Sequence, residues 1–155
     1  MSYVGKILQP DEHVLRVGRL HWVVYLRPLV LAAICVALLQ QYASGLLSTD
    51  FATGLLVAGL LFGVFALVAF ARAWLRNWST ELAVTDRRII YKRGFVRRHT
   101  IEMNMDKVET VAVEQSLLGR LLNYGTINVK GTGQSLEHLD TISAPIALRN
   151  AVLAR

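Results

Sequence analysis

FATGLLVAGLLFGVFALVAFA, Phe51–Ala71, is a run of 21 residues without a charge, closed by Arg72. As an α-helix rising about 1.5 Å per residue it spans roughly 30 Å, the thickness of a bilayer's hydrocarbon core. The run predicts a transmembrane helix over about 51–73. Upstream, Pro28–Leu39 is a second uncharged run, extended by Trp22–Leu26 with Arg27 as the interruption and completed by Gln40–Ala43. It predicts a first span over about 22–42. Arg27 lies about a turn from its near end, where the long stem reaches back to the headgroups instead of serving as a gating or transport charge. The span starts after the polar segment with Asp11 and Glu12, and no small-x-small cleavage site follows, so it is expected to be retained and not removed as a signal.

Composition points the same way. Of 155 residues, 54% are hydrophobic and 18% charged, an apolar share above that of a simple soluble globule and opposite to that of a disordered chain. Lys and Arg number 17 against 11 Asp and Glu, for a net charge of +6. Cys35 is the sole cysteine, which excludes an internal disulfide framework and a cysteine-cluster metal site.

Between Gln40 and Ala71 there is no Lys or Arg, whereas Lys6, Arg16, Arg19 and Arg27 lie on the N-terminal side and Arg72 and Arg76 follow the second run. The positive-inside rule sets both termini in the cytoplasm and the short turn outside. Trp22 opens the first span and Trp74 and Trp78 follow the second, which in a hairpin is one interface. Trp22, Arg27, Trp74 and Trp78 are therefore the expected interface anchors. Gly59 with Gly63, and Ala33 with Ala37, form small-xxx-small pairs suited to close helix packing, within the hairpin or against a neighbouring subunit; the plainer reading is that glycine and alanine are common in membrane helices.

From Ser79 the apolar runs give way to short alternating segments broken by glycine, the pattern of an antiparallel sheet. Strands are expected at Thr80–Val84, Arg88–Lys92, Phe95–Glu102, Lys107–Glu114, Tyr124–Lys130 and around Leu136–Ile142. Thr85–Arg87, Arg93–Gly94 and Gly131–Gly133 read as turns, and Gln115–Asn123 as a short helical or irregular excursion. In the Tyr124 strand, Ile127 and Val129 share one parity and Thr126, Asn128 and Lys130 the other. Pro145 opens a closing helix to about Leu153, with Ile146, Leu148 and Val152 expected to cover one end of the sheet. Val14–Leu20 is a further candidate strand folding back onto this domain. The organisation expected is an N-terminal segment over 1–21, a hairpin over 22–74 and a β domain over 79–155. The fold class is α+β: a two-helix transmembrane hairpin plus a cytoplasmic PH-like antiparallel β-barrel or sandwich closed by a C-terminal helix, with OB-like and SH3-like barrels reading almost the same.

The stretch Thr80–Gly133 resembles the bacterial PH-like domain family of small membrane proteins. The features that carry the resemblance are Thr85-Asp86-Arg87-Arg88, Gly94, Val108-Glu109, Ser116-Leu117-Leu118-Gly119 and Tyr124-Gly125-Thr126, together with the Pro10-Asp11-Glu12 opening and the two spans ahead of the domain. It implies a PH-like fold on a bacterial inner-membrane anchor, without an established catalytic activity and without a defined ligand.

Arg87, Arg88, Lys92, Arg93, Arg97 and Arg98 are six cations in twelve residues with no acid among them. Beside an anionic cytoplasmic leaflet each cation that reaches the surface contributes about 1 kcal/mol, although strand alternation keeps all six from facing one way. A solvated, purely topogenic strand face is the plain reading. Anionic-lipid contact or an acidic protein partner is the functional one. Nucleic acid is not expected, since aromatic interleaving stops at Tyr91 and Phe95 and no recognition helix is evident. His13, His21, His99 and His138 lack metal-ligand spacing, neither Ser116 nor Cys35 sits in a nucleophile context, and Gly131–Gly133 is a turn and not a phosphate loop. Neither an enzyme nor a cofactor is expected. Leu117, Leu118, Leu121 and Leu122 are expected in the core; exposed, they would mark a subunit or partner contact. The function expected is a binding or scaffolding module that self-associates and meets lipid headgroups or a protein partner. An accessory subunit of a larger membrane complex, or an oligomeric channel or transport component, is the alternative.

Overall fold

The computed structural model describes residues 4–45, 48–94, 99–132 and 134–154. Along the chain these form α1 (Val4–Ile7), β1 (Val14–Gly18), α2 (Leu26–Ala43), α3 (Thr49–Ser79), β2 (Glu81–Thr85), β3 (Arg88–Arg93), β4 (His99–Asn104), β5 (Val108–Glu114), α4 (Leu117–Leu121), β6 (Tyr124–Gly131), β7 (Gln134–Ser143) and α5 (Pro145–Leu153). The chain divides into two compact units: residues up to His21 together with those from Arg76 onward, and Trp22–Leu75 between them.

The first unit is two antiparallel sheets, β1-β2-β3-β4 and β5-β6-β7. They do not close into a barrel. A 3-10 turn, Met105–Lys107, separates β4 from β5, and the chain just past β1 reaches the second sheet through a bridge from Leu20 to Ile142. Leu82, Val84, Ile89 and Tyr91 of one sheet and Ile127, Val129, Leu139 and Ile142 of the other share one core cluster, sealed by Leu148 and Val152 of α5. Burying side chains of this size contributes about 1.5–3 kcal/mol each. Pro145, Leu148 and Val152 share a helical face; Ile146, about 200° from Leu148, lies outside it and is exposed, contrary to expectation.

One polar strand residue is enclosed, and one further expectation needs correction. Asn128, on the polar parity of β6, is buried: its Nδ2 donates to Glu114 Oε1 at 2.8 Å, and its Oδ1 lies 2.6 Å from His138 Nδ1. Leu117, Leu118 and Leu121 of α4 are 85%, 63% and 80% exposed and form no part of the core. The helix is nevertheless locally specified. Ser116 Oγ accepts the Gly119 N–H at 3.0 Å, and a Cβ on Gly119 would stand 2.7 Å from the Tyr124 carbonyl oxygen. Only glycine fits so close to that backbone.

The second unit is a pair of apolar helices. Trp22–Ala43, entered by a 3-10 turn at Trp22–Tyr25, and Thr49–Ser79 are each long and apolar enough to cross a membrane. The second runs past the expected end through Trp74, Arg76 and Trp78. Tyr25 meets Phe70 at a ring-centroid distance of 5.7 Å. Added Cβ atoms on Gly63 and Gly59 would meet Cys35 Sγ at 3.2 Å and Leu39 Cδ2 at 3.0 Å, so both glycines face α2 in an antiparallel hairpin. Ala33 and Ala37 lie exposed on α2.

Candidate functional site

β3 carries most of the described basic run, and its two ends lie in different surroundings. Arg88, at its start, is enclosed. Its Nε donates to Glu12 Oε1 at 3.0 Å, one terminal nitrogen donates to Glu12 Oε2 and to the Ile7 carbonyl, both at 2.8 Å, and the other reaches Glu102 Oε2 at 2.7 Å. The Glu12 side chain has no exposed surface. Its oxygens also accept the Gln9 N–H at 2.9 Å and the Thr85 hydroxyl at 2.8 Å. The Arg88 guanidinium, ahead of the Gln9 and Thr85 bonds, holds the Glu12 carboxyl down at about 2, against the opposing effect of burial.

Local sequence explains why this constellation forms. After β2, Thr85 turns the chain, its Oγ accepting the Arg88 N–H at 2.9 Å. Asp86 Oδ1 accepts the His13 N–H at 3.0 Å and its own N–H donates to the His13 carbonyl at 3.1 Å. The segment Ile7–His13 is thereby stitched to a turn more than seventy residues away, and Ile7 and Leu8 cover Ala83 and Ile90 on the outer face of the sheet. Arg87 lies exposed on the same turn.

At the other end of β3, Lys92 Nζ lies 3.8 Å from Glu81 Oε1, and Arg93 is exposed beside the Gly94 turn, where glycine adopts φ 98°. Burial raises the pKa of the neighbouring Tyr91 phenol, with Arg93 and Arg76 opposing it. Arg97 and Arg98 lie outside the described residues. The points where the chain leaves for the apolar helices are also at this end. His21 N–H donates to the Thr141 carbonyl at 2.8 Å, its ring stacks on Tyr124 at 5.3 Å, and Arg76 lies 3.8 Å from Asp140 Oδ2. Both exits therefore touch one short segment of β7, Asp140–Thr141. Of the expected anchors, Trp22, Arg27, Trp74 and Trp78 are exposed on the helical segments.

This arrangement joins the scattered sequence motifs into one frame, with Pro10-Asp11-Glu12 locked to Thr85–Arg88 and Ser116–Gly119 folded against Tyr124. A family profile described as "Bacterial PH domain" matches residues 22–154. The chain belongs to the bacterial PH domain family. No curated protein and no solved structure matches it. The family is typically non-catalytic, and among the described residues of this bacterial PH domain no group of three His, Cys, Asp or Glu side chains could hold a metal ion.

The Glu102 contact is the salt bridge that an acid among basic strands leads one to expect; Glu12 and Thr85 are the partners of Arg88 that charge counting missed. The available signal was the pairing of an acid-bearing N-terminal opening with the Thr-Asp-Arg-Arg turn, two motifs that draw together only in three dimensions.

Proposed function

We propose that this bacterial PH domain is a membrane-anchored binding and scaffolding module. Its helical hairpin sits in the inner membrane with both termini cytoplasmic, and the basic end of β3 meets anionic headgroups or an acidic partner. The observation that carries the reading is the poverty of burial in the two apolar helices: only 6% and 11% of their apolar windows are buried within the chain. A core helix of a soluble protein is mostly enclosed, so surfaces this apolar call for a lipid environment or other helices. The absence of Lys and Arg between Gln40 and Ala71 supports the orientation. Ala33 and Ala37, exposed on α2, would serve the helix of a second copy.

Alkaline extraction of membranes bearing the full chain, with protease protection of tags at each terminus, tests the anchor. The expected result is a pelleted chain whose tags are both cleaved only from the cytoplasmic side. Release into the supernatant would overturn the membrane reading. Mild detergent extraction then separates the roles, since a particle of this chain alone fits self-association, while a stoichiometric second protein would make it an accessory subunit.

A further inference from the structure

We infer that α4 is a third membrane contact, a short interfacial helix whose Leu117, Leu118 and Leu121 enter the headgroup and acyl boundary beside the points where the chain enters the bilayer. The inference rests on the membrane reading of the hairpin and adds to it a surface of the β unit.

Three leucines at 63% exposure or more on one and a half turns are costly in water, and nothing in the local structure requires them: the cap uses Ser116 and the close packing uses Gly119. The helix is held firmly in place. Gln115 Nε2 donates to the carbonyls of Gly119 and Tyr124 at 3.2 and 2.9 Å, so the leucines project from a fixed platform. That platform belongs to the exit end of the sandwich. Tyr124, three residues beyond Leu121, stacks on His21, and the next residue of the chain, Trp22, begins the first apolar segment. His21 and Arg76, the last and first residues of the β unit at its two junctions, bind Thr141 and Asp140 on neighbouring positions of β7. Within the β unit, α4 thus lies at the end that carries both junction residues.

Charge agrees with a lipid occupant. Arg120 is the lone charged residue of Gln115–Asn123, and the nearest acids at this end are engaged, Glu114 by the Asn128 amide at 2.8 Å and Asp140 by Arg76 at 3.8 Å, so a cation flanked by leucines suits an anionic leaflet. An interfacial helix of this kind buries its apolar face about 5–10 Å into the boundary between headgroups and acyl chains.

The test uses the full chain in vesicles containing phosphatidylglycerol, with Cys35→Ser as background and single spin labels at Leu118→Cys, Leu121→Cys, Val64→Cys and Lys107→Cys. Collision with oxygen and with a water-soluble nickel complex reports depth. Val64, exposed in the middle of the apolar run of α3, reports hairpin insertion, and Lys107, at the far end of the sandwich, reports water. The expected oxygen-to-nickel ratios at 118 and 121 lie several-fold above that at 107 and below that at 64. Labels at 118 and 121 as wet as the one at 107, with 64 deep, would overturn this inference and leave the proposed function standing. Labels shielded from both reagents would assign the leucines to a protein contact and overturn it equally. A wet label at 64 would overturn the membrane reading and this inference together.

Discussion

Arg88 and Arg93 are five positions apart on one strand and have opposite fates. Arg88 is closed off by Glu12, Glu102 and the Ile7 carbonyl, while Arg93 stands exposed at the end from which the chain leaves for its apolar helices. A dense basic run is therefore not one surface. Part of it holds the N-terminal segment on the sheet, and part is available to whatever lies beyond.

The largest effect expected from this contrast is in stability. Glu12→Ala leaves the Arg88 guanidinium partly buried without its main partner and is expected to destabilise the β unit by about 3 kcal/mol, whereas Arg93→Met changes it by less than about 0.5 kcal/mol. Hydrogen exchange at the β2 and β3 amides of the full chain measures both. Equal effects would break the distinction between the two ends.

Acid sharpens the same contrast. Because the Glu12 carboxyl titrates at about 2 in the folded chain and at 4.5 ordinarily, its contribution is complete above the ordinary value and disappears as pH falls from there toward 2. Protection of β2 and β3 is therefore expected to fall with acidification through that window. Glu12→Gln should flatten this part of the profile, and an unchanged slope in that variant would assign the acid sensitivity elsewhere.

Arg76 and Asp140, 3.8 Å apart with 36% and 48% of their side chains exposed, give the smallest effect. Asp140→Asn is expected to cost at most about 0.5 kcal/mol, and less at high salt. A loss comparable to that of Glu12→Ala would mean that the exit end is as tightly locked as the other.

Much of this architecture was legible in the chain because local rules produce it. Uncharged length marked both apolar helices, alternation marked Ile127 and Val129 as inward-facing, and Pro145 marked the start of α5. Long-range pairings left weaker traces. Nothing in the spacing of Thr85 and Arg88 says that Glu12 will enter between them, and Asn128 reads as solvated until Glu114 and His138 arrive from the adjacent strands to satisfy it. Barrel and sandwich share one strand pattern, so closure was not readable from it. The leucines of α4 misled for another reason: apolar character predicts avoidance of water, and in a chain with apolar helices a folded core is not the only refuge. The site was therefore half legible, its cations plain in sequence and their division of labour visible only with their partners.

The most direct measurement for the central claim is the anionic lipid retained by the full chain after mild detergent purification, compared between Arg93→Glu/Arg97→Glu/Arg98→Glu and Arg87→Glu. The expected result is a several-fold loss of phosphatidylglycerol from the triple variant, with membrane insertion intact, and retention close to that of the unaltered chain in Arg87→Glu. Equal retention in both variants would contradict it.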